Sequence, residues 1–201
     1  MNKTLAIIAI TAATSVGLAG TELVINGNFE TGDTSGWTYF PTGASSFDIT
    51  SDASGGSFAG ELFNNTDASA ALIRQLNLGA GLLSTGDTIN ISFTLKGEGA
   101  VGGVAFAELF TEVDGGGVSS TQFIGTAPLP LGSAYAVFNT SIVLTADVSG
   151  GITLQFAAVT GADSNSESRL FIDDVSISVI PAPAGAALLG MGGLVAMRRR
   201  R

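Results

Sequence analysis

Between residues 21 and 180 no ten-residue stretch keeps a helical period of apolar side chains; apolar and polar residues alternate instead with a period of two. Ile89, Ile91, Phe93 and Leu95 alternate with Asn90, Ser92 and Thr94, the pattern of a strand with one packed face and one wet face. Phe138, Thr140, Ile142 and Leu144 repeat it, as do Ile152, Leu154, Phe156 and Ala158. Phe171, Asp173, Val175, Ile177 and Val179 read as the inward face of a last strand, with Asp174 toward solvent. Further strands are expected at 22–26, 45–50, 69–78, 103–113 and 121–127. Gly55-Gly56, Gly86-Asp87, Gly115-Gly116-Gly117 and Gly150-Gly151 punctuate these runs as turns. So many short strands predict an all-β chain, an antiparallel β-sandwich or barrel.

Composition removes several function classes. There is no cysteine and no histidine, so neither a thiolate metal site nor a Ser-His-Asp or Cys-His arrangement can be assembled. Paired carboxylates remain a route to hydrolysis, which keeps a glycan-active hydrolase as the remote alternative. All 17 acidic residues lie between Glu22 and Asp174, where only Arg74, Lys96 and Arg169 are basic. That leaves the span at −14, against −9 for the whole chain. Such a surface repels nucleic acid and attracts divalent cations.

The two ends read as targeting segments. Residues 1–20 have the order of a secretory signal peptide: Lys3, an apolar run from Leu5, and small residues at Gly17-Leu18-Ala19. At the other end Pro181-Ala182-Pro183 precedes an uncharged run, 184–197, and then Arg198, Arg199, Arg200 and Arg201. Fourteen residues make a helix of about 21 Å, short for a bilayer span. The basic cluster behind it is of the kind retained on the cytoplasmic side. A first core segment and an unstructured tail are the plainer readings of these ends.

PAPAGAALLGMGGLVAMRRRR resembles the PEP-CTERM sorting signals of Gram-negative bacteria, with Ala182 where the name-giving motif has Glu. The resemblance covers the last 21 residues. It implies transient anchoring in the inner membrane through the C-terminal helix, recognition and cleavage by an exosortase-type protease, and delivery to the cell surface or extracellular polymer.

The span 21–180 carries a second resemblance. NGNFETGDTSGWT at 26–38, AALIRQLNL before GDTINISFTLKGEG, SAYAVFNTSIVLT and RLFIDDVSISV follow the order found in carbohydrate-binding module family 4/9, a group of galactose-binding-like jelly rolls. This resemblance implies a jelly-roll sandwich. It also implies a structural Ca²⁺ between the opening segment and the last strand, held by carboxylates at positions matching Glu30 and Asp173 and by backbone carbonyls; the backbone oxygen of Asn28, in the same segment, is a candidate further ligand. Calcium takes six to eight oxygen ligands, which such loops supply. A carboxylate satisfied by backbone N–H groups, or by Arg169 or Arg74, is the alternative reading of Asp173.

Sugar binding calls for aromatic platforms. The single Trp37 sits in the Ser-Gly-Trp-Thr piece and reads as core; Tyr39 and Tyr135 are the remaining amphipathic rings and the candidate ligand contacts. The twelve Phe residues sit mostly in alternating strands and read as core. Three Asn-x-Ser/Thr sequons begin at Asn64, Asn90 and Asn139 and decorate polar strand faces. The sequence therefore favours a non-catalytic exported surface or matrix protein associated with exopolysaccharide, with a carbohydrate-binding module bearing a specific glycan site as the alternative. An exposed aromatic in a concave face discriminates for the second, and a flat Ser/Thr/Gly face for the first.

Overall fold

The computed structural model describes residues 20–182. The expected signal peptide up to residue 19 and the tail from Pro183, with Arg198 to Arg201, lie outside the described residues. The described chain forms eleven strands: β1 Thr21–Glu22, β2 Thr38–Phe40, β3 Ser45–Thr50, β4 Ala59–Asn64, β5 Ala70–Leu78, β6 Thr88–Ala100, β7 Val104–Glu112, β8 Val118–Phe123, β9 Ala136–Val143, β10 Gly151–Val159 and β11 Glu167–Ile180. No helix occurs among the described residues.

The strands pack as two antiparallel sheets. Sheet A runs β3-β4-β11-β6-β9, with β1 added beside β11; sheet B runs β2-β5-β10-β7-β8. The two longest strands, β6 and β11, pair through the middle of sheet A. Each has enough residues to span the sandwich, so their apolar faces set the core. Ile89, Ile91, Phe93 and Leu95 point inward from β6, as alternation requires, and Ile152, Leu154, Phe156 and Ala158 do so from β10. Phe93 and Phe156 meet edge to face at 5.0 Å and 84°, a favoured aromatic geometry, and join the two sheets at the centre.

The strands expected at 45–50, 69–78 and 103–113 form nearly as read. The 22–26 strand shrinks to Thr21–Glu22, and beyond it side chains take over from the ladder: the Glu22 carboxylate accepts the Val24 and Ile177 amides, and the Ile25 amide donates to Gln75 Oε1. Two strands missing from the sequence reading, β2 and β4, are short or broken by small residues, as in Ala59-Gly60.

The reading of β11 needs correction. A β-bulge interrupts its pairing with β6 between Asp173 and Ser176, and Asp174 adopts φ +49°. One extra residue reverses the parity of everything beyond it. Leu170 and Ile172 face the core before the bulge, and Val175, Ile177 and Val179 after it. Phe171 therefore points outward, beneath the Lys96 ammonium at 4.7 Å. Asp173 is buried as expected, but on the outer side of sheet A beneath loop 51–58 rather than in the core.

Candidate functional site

The opening motif builds the end of the sandwich. Gly27 lies so close to β11 that a Cβ there would stand 1.9 Å from the Val175 carbonyl oxygen, while the Val175 N–H donates to Gly27 O at 2.9 Å. Phe29, fully buried, stacks on Trp37 at 5.7 Å, and the Trp37 indole N–H donates to Asn26 O at 3.2 Å. Trp37 is core, as read. The Asn26 amide group donates to Asp33 O and Ser35 O, which closes the loop; its Oδ1 is a buried acceptor without a donor.

Glu30 and Asp173 meet on one loop. Glu30 Oε1 accepts the Ser57 and Phe58 amides at 2.8 and 2.9 Å. Asp173 Oδ2 accepts the Ser54 and Gly55 amides at 2.9 and 3.3 Å, and Oδ1 accepts the Asp174 amide at 2.8 Å. Asn28 Oδ1 accepts the Glu30 amide at 3.4 Å. Asp173 is thus satisfied by backbone N–H groups, as a buried carboxylate must be without a cation. Arg169 is engaged elsewhere, with Glu61, Glu98 and Glu167. Among the described residues no three of His, Cys, Asp and Glu cluster around a common point.

The two candidate tyrosines lie apart. Tyr39 pairs with Ile73, turns toward the inside of sheet B, packs on Phe47 at 6.1 Å and donates its hydroxyl to Ser45 Oγ at 2.6 Å. Tyr135, just before β9, donates to Asp52 O and carries the Lys96 ammonium 5.0 Å from its ring. Burial, and then the carboxylates of Asp52, Asp173, Asp174 and Glu61, push its phenol well above the ordinary tyrosine range.

Phe63, Phe171 and Tyr135 reach the outer side of sheet A beneath Arg169 and Lys96, and a larger group of phenylalanines, including the exposed Phe123, lies on the outer face of sheet B. Here Phe40, Phe106, Phe110 and Phe123 correct the reading of the Phe residues as core. Register places Thr38, Arg74, Gln155, Glu108 and Phe123 in one row across all five strands of sheet B. Phe40, Leu72, Ala157 and Phe106 form a second row, and Thr153, Phe110 and Thr121 a third. Phe123 is 53% exposed; the other three rings are half-buried.

Polar groups between the rings are held in place. Gln155, only 4% exposed, accepts from Arg74 Nε at 2.5 Å and donates from Nε2 to Glu108 Oε2. The Arg74 guanidinium lies 4.9 Å from the Phe40 ring centroid and 5.6 Å from that of Phe110, within cation–π range of both. Thr153 donates to Glu112 Oε1. Phe106 and Phe123 pack at 5.5 Å. A face of partly exposed rings separated by oriented donors and acceptors is the construction that holds polyhydroxylated ligands: rings take the apolar sugar faces, and fixed polar groups take the hydroxyls.

The outer face of sheet A is divided: Phe63, Phe171 and Tyr135 lie beside Arg169 and Lys96 in one part, and the other part is polar and uncharged. Ser176, Ser178, Asn90, Ser92, Asn139 and Ser141 line a shallow recess of about 480 Å³ that contains neither a ring nor a charge. Two of the sequons begin there, at Asn90 and Asn139; Asn64 is fully buried and donates to Ala158 O at 3.0 Å.

The chain matches no protein family and no curated protein in sequence. Its fold is similar to that of several solved structures. The CBM22-1 xylan-binding domain of Paenibacillus barcinonensis Xyn10C superposes with a TM-score of 0.59 at 16% identity, over 82% of this chain and 97% of that one. A family 16 carbohydrate-binding module superposes at 0.52 and 12% identity, over 77% and 98%. The enzymatically active domain of bacteriophage CBA120 tailspike protein 4 superposes at 0.61 and 16% identity, over 79% of this chain, which spans only 21% of the tailspike chain's length. The described chain is an all-β, antiparallel two-sheet sandwich of the kind these carbohydrate-binding modules share.

Proposed function

We propose that this chain is an exported, non-catalytic carbohydrate-binding jelly roll whose glycan lies across the outer face of sheet B. The observation that carries this reading is the exposed Phe123 ring in register with Glu108, Gln155 and Arg74. A matrix protein acting only through bulk and acidity has no need of a ring row with oriented polar partners. The shared fold with a xylan-binding domain and a family 16 carbohydrate-binding module supports a polysaccharide partner over a small metabolite. The test is affinity electrophoresis of the full chain against a panel of soluble polysaccharides, beside Phe123→Ala. Retardation that Phe123→Ala reduces several-fold supports the face; retardation indifferent to Phe123, Phe40 and Phe110 alike places binding elsewhere.

Two further parts belong to this reading. Residues 1–20 act as a signal peptide and 181–201 as a PEP-CTERM-like sorting tail, so that an exosortase-type protease releases the 21–180 domain at the cell surface or into extracellular polysaccharide. Mass spectrometry of the native protein tests this: retention of both Met1 and Arg201 would refute it. The second part is a structural Ca²⁺ held by Glu30, Asp173 and Asn28. The donor set suits a hard cation, since every side-chain donor is an oxygen and the span is strongly acidic. Bound there, the ion would tie the opening segment to the last strand.

A further inference from the structure

Resting on the glycan-binding reading of sheet B, we infer that its outer face reads a carboxylated sugar, an isolated uronate in an otherwise uncharged glycan, through the Arg74 guanidinium. Charge accounting leads there. Lys96 is paired with Asp52, and Arg169 with Glu61, Glu98 and Glu167. Arg74 is the third basic residue among the described residues, and no carboxylate there lies within 4 Å of its nitrogens. In a span of −14 an arginine without a carboxylate at ion-pair distance stands out; the nearby Glu108 is reached only through Gln155.

The setting of Arg74 suits an anion better than a hydroxyl. Its Nε is committed to Gln155, and Gln155 is oriented by Glu108, so a chain of three residues in register fixes the plane of the guanidinium. Phe40 and Phe110 flank that plane and strip water from it, which strengthens its attraction for an opposite charge. The two Nη groups make no hydrogen bond among the described residues and remain as a fork. A planar fork of donors matches the two oxygens of a carboxylate, whereas a sugar hydroxyl uses one donor at a time. The rings on either side supply the stacking surface for the sugar that carries the carboxylate.

The same accounting limits the ligand. Glu108 and Glu112 stand on the same face, each engaged as an acceptor by Gln155 or Thr153. A chain with a carboxylate on every sugar meets these two as well as Arg74, and the acidic span repels it as a whole. The match is a sparsely charged glycan presenting one uronate at a time.

The experiment is calorimetric titration of the full chain with a glucuronate-containing oligosaccharide and with the same oligosaccharide after reduction of its carboxyl to an alcohol. The acidic form is expected to bind about tenfold more tightly, the scale of one charge-assisted bidentate contact, and the advantage is expected to shrink as salt rises. Arg74→Gln should bring the ratio of the two affinities to about one, and Arg74→Lys, which keeps charge but loses the fork, should leave it between. Equal affinity of the wild-type chain for both forms overturns the uronate inference while the face survives, provided Phe123→Ala still weakens binding. A preference for the acidic form that persists in Arg74→Gln also overturns it, by locating the carboxylate elsewhere. Absence of binding to either form, or binding indifferent to Phe123→Ala, removes the face and the inference together. The comparison of the two oligosaccharides needs no variant, so it stands even if Arg74→Gln fails to fold.

Discussion

Glu30 and Asp173, separated by most of the chain in sequence, hold the two halves of one loop: Glu30 takes the amides of Ser57 and Phe58, and Asp173 those of Ser54 and Gly55. The loop leads from β3 to β4 and covers the bulge of β11. Two carboxylates thereby bring the opening segment, the β3–β4 connection and the last strand to one place. Asp173 is wholly buried, so its charge is compensated only by the amides of Ser54, Gly55 and Asp174.

From this follows a contrast between neighbours. Asp173→Asn replaces a buried charged acceptor of three amides with a neutral group and a surplus donor, and is expected to cost about 2 kcal/mol. Asp174 is exposed, receives only the Ser54 hydroxyl at 2.9 Å, and sits at a positive φ that Asn tolerates. Asp174→Asn should change stability by less than about 0.5 kcal/mol. Thermal melts of the two variants of the full chain check the difference.

The calcium reading predicts more than loop anchoring. An ion bound only to the folded state stabilises by about 2.7 kcal/mol at a hundredfold excess over Kd, several degrees in Tm for a chain of this size. Ca²⁺ should raise the Tm of the wild-type chain after EDTA treatment, and should fail to do so for Glu30→Gln or Asp173→Asn. An equal response to Mg²⁺, or to Ca²⁺ in both variants, would reduce the effect to general screening of an acidic surface. A Tm unmoved by EDTA, with no calcium found by metal analysis, would leave the amides as the sole partners of both carboxylates.

Gly27 is the position where the backbone approach admits no side chain. A Cβ there would stand 1.9 Å from Val175 O and 2.9 Å from Val24 Cγ1, so Gly27→Ala must push the opening segment off the bulge and break the Val175 N–H to Gly27 O bond. The expected loss is about 3 kcal/mol, roughly 10 °C in Tm. Gly116→Ala is the comparison for strain without crowding: φ there is +105°, and a Cβ meets nothing within 4 Å. Calorimetric melts of both should separate crowding from strain.

Alkaline stability depends on Tyr135. Burial first, then Asp52, Asp173, Asp174 and Glu61, raise its phenol above the ordinary value of 10.0. Above about pH 10 the unfolded chain releases this proton while the folded chain keeps it, so the folded state binds more protons and stability falls as pH rises. The contribution is fully present below that pH and is lost progressively above it. Tyr135→Phe should flatten this alkaline decline, while costing about 1 kcal/mol at neutral pH for the lost bond to Asp52 O. Ultraviolet titration of tyrosinate, compared between the wild-type chain and Tyr135→Phe, should show the Tyr135 phenol ionising above the ordinary tyrosine range.

The sequence by itself determined the class of fold and most of its strands, because a period of two is a local property: each side chain's face follows from its neighbours. It determined as well that Trp37 and Phe29 belong to the core, whereas Asp173 is buried beneath loop 51–58 and not on the inward face its parity suggested. Tertiary structure alone decided which rings are exposed. On β7 both faces carry apolar residues: the small Ala105 and Ala107 with Leu109 turn inward while Phe106 and Phe110 turn out beside Glu108 and Glu112, so the size of the rings pointed to one face as core and the acids to the other. The parity of Phe171 was lost to a bulge, which adds one residue without any mark in the local pattern. The row of Arg74, Gln155 and Glu108 was beyond reach for a related reason. Its members come from three strands up to 81 residues apart, and only the register of β5, β10 and β7 sets their side chains in line.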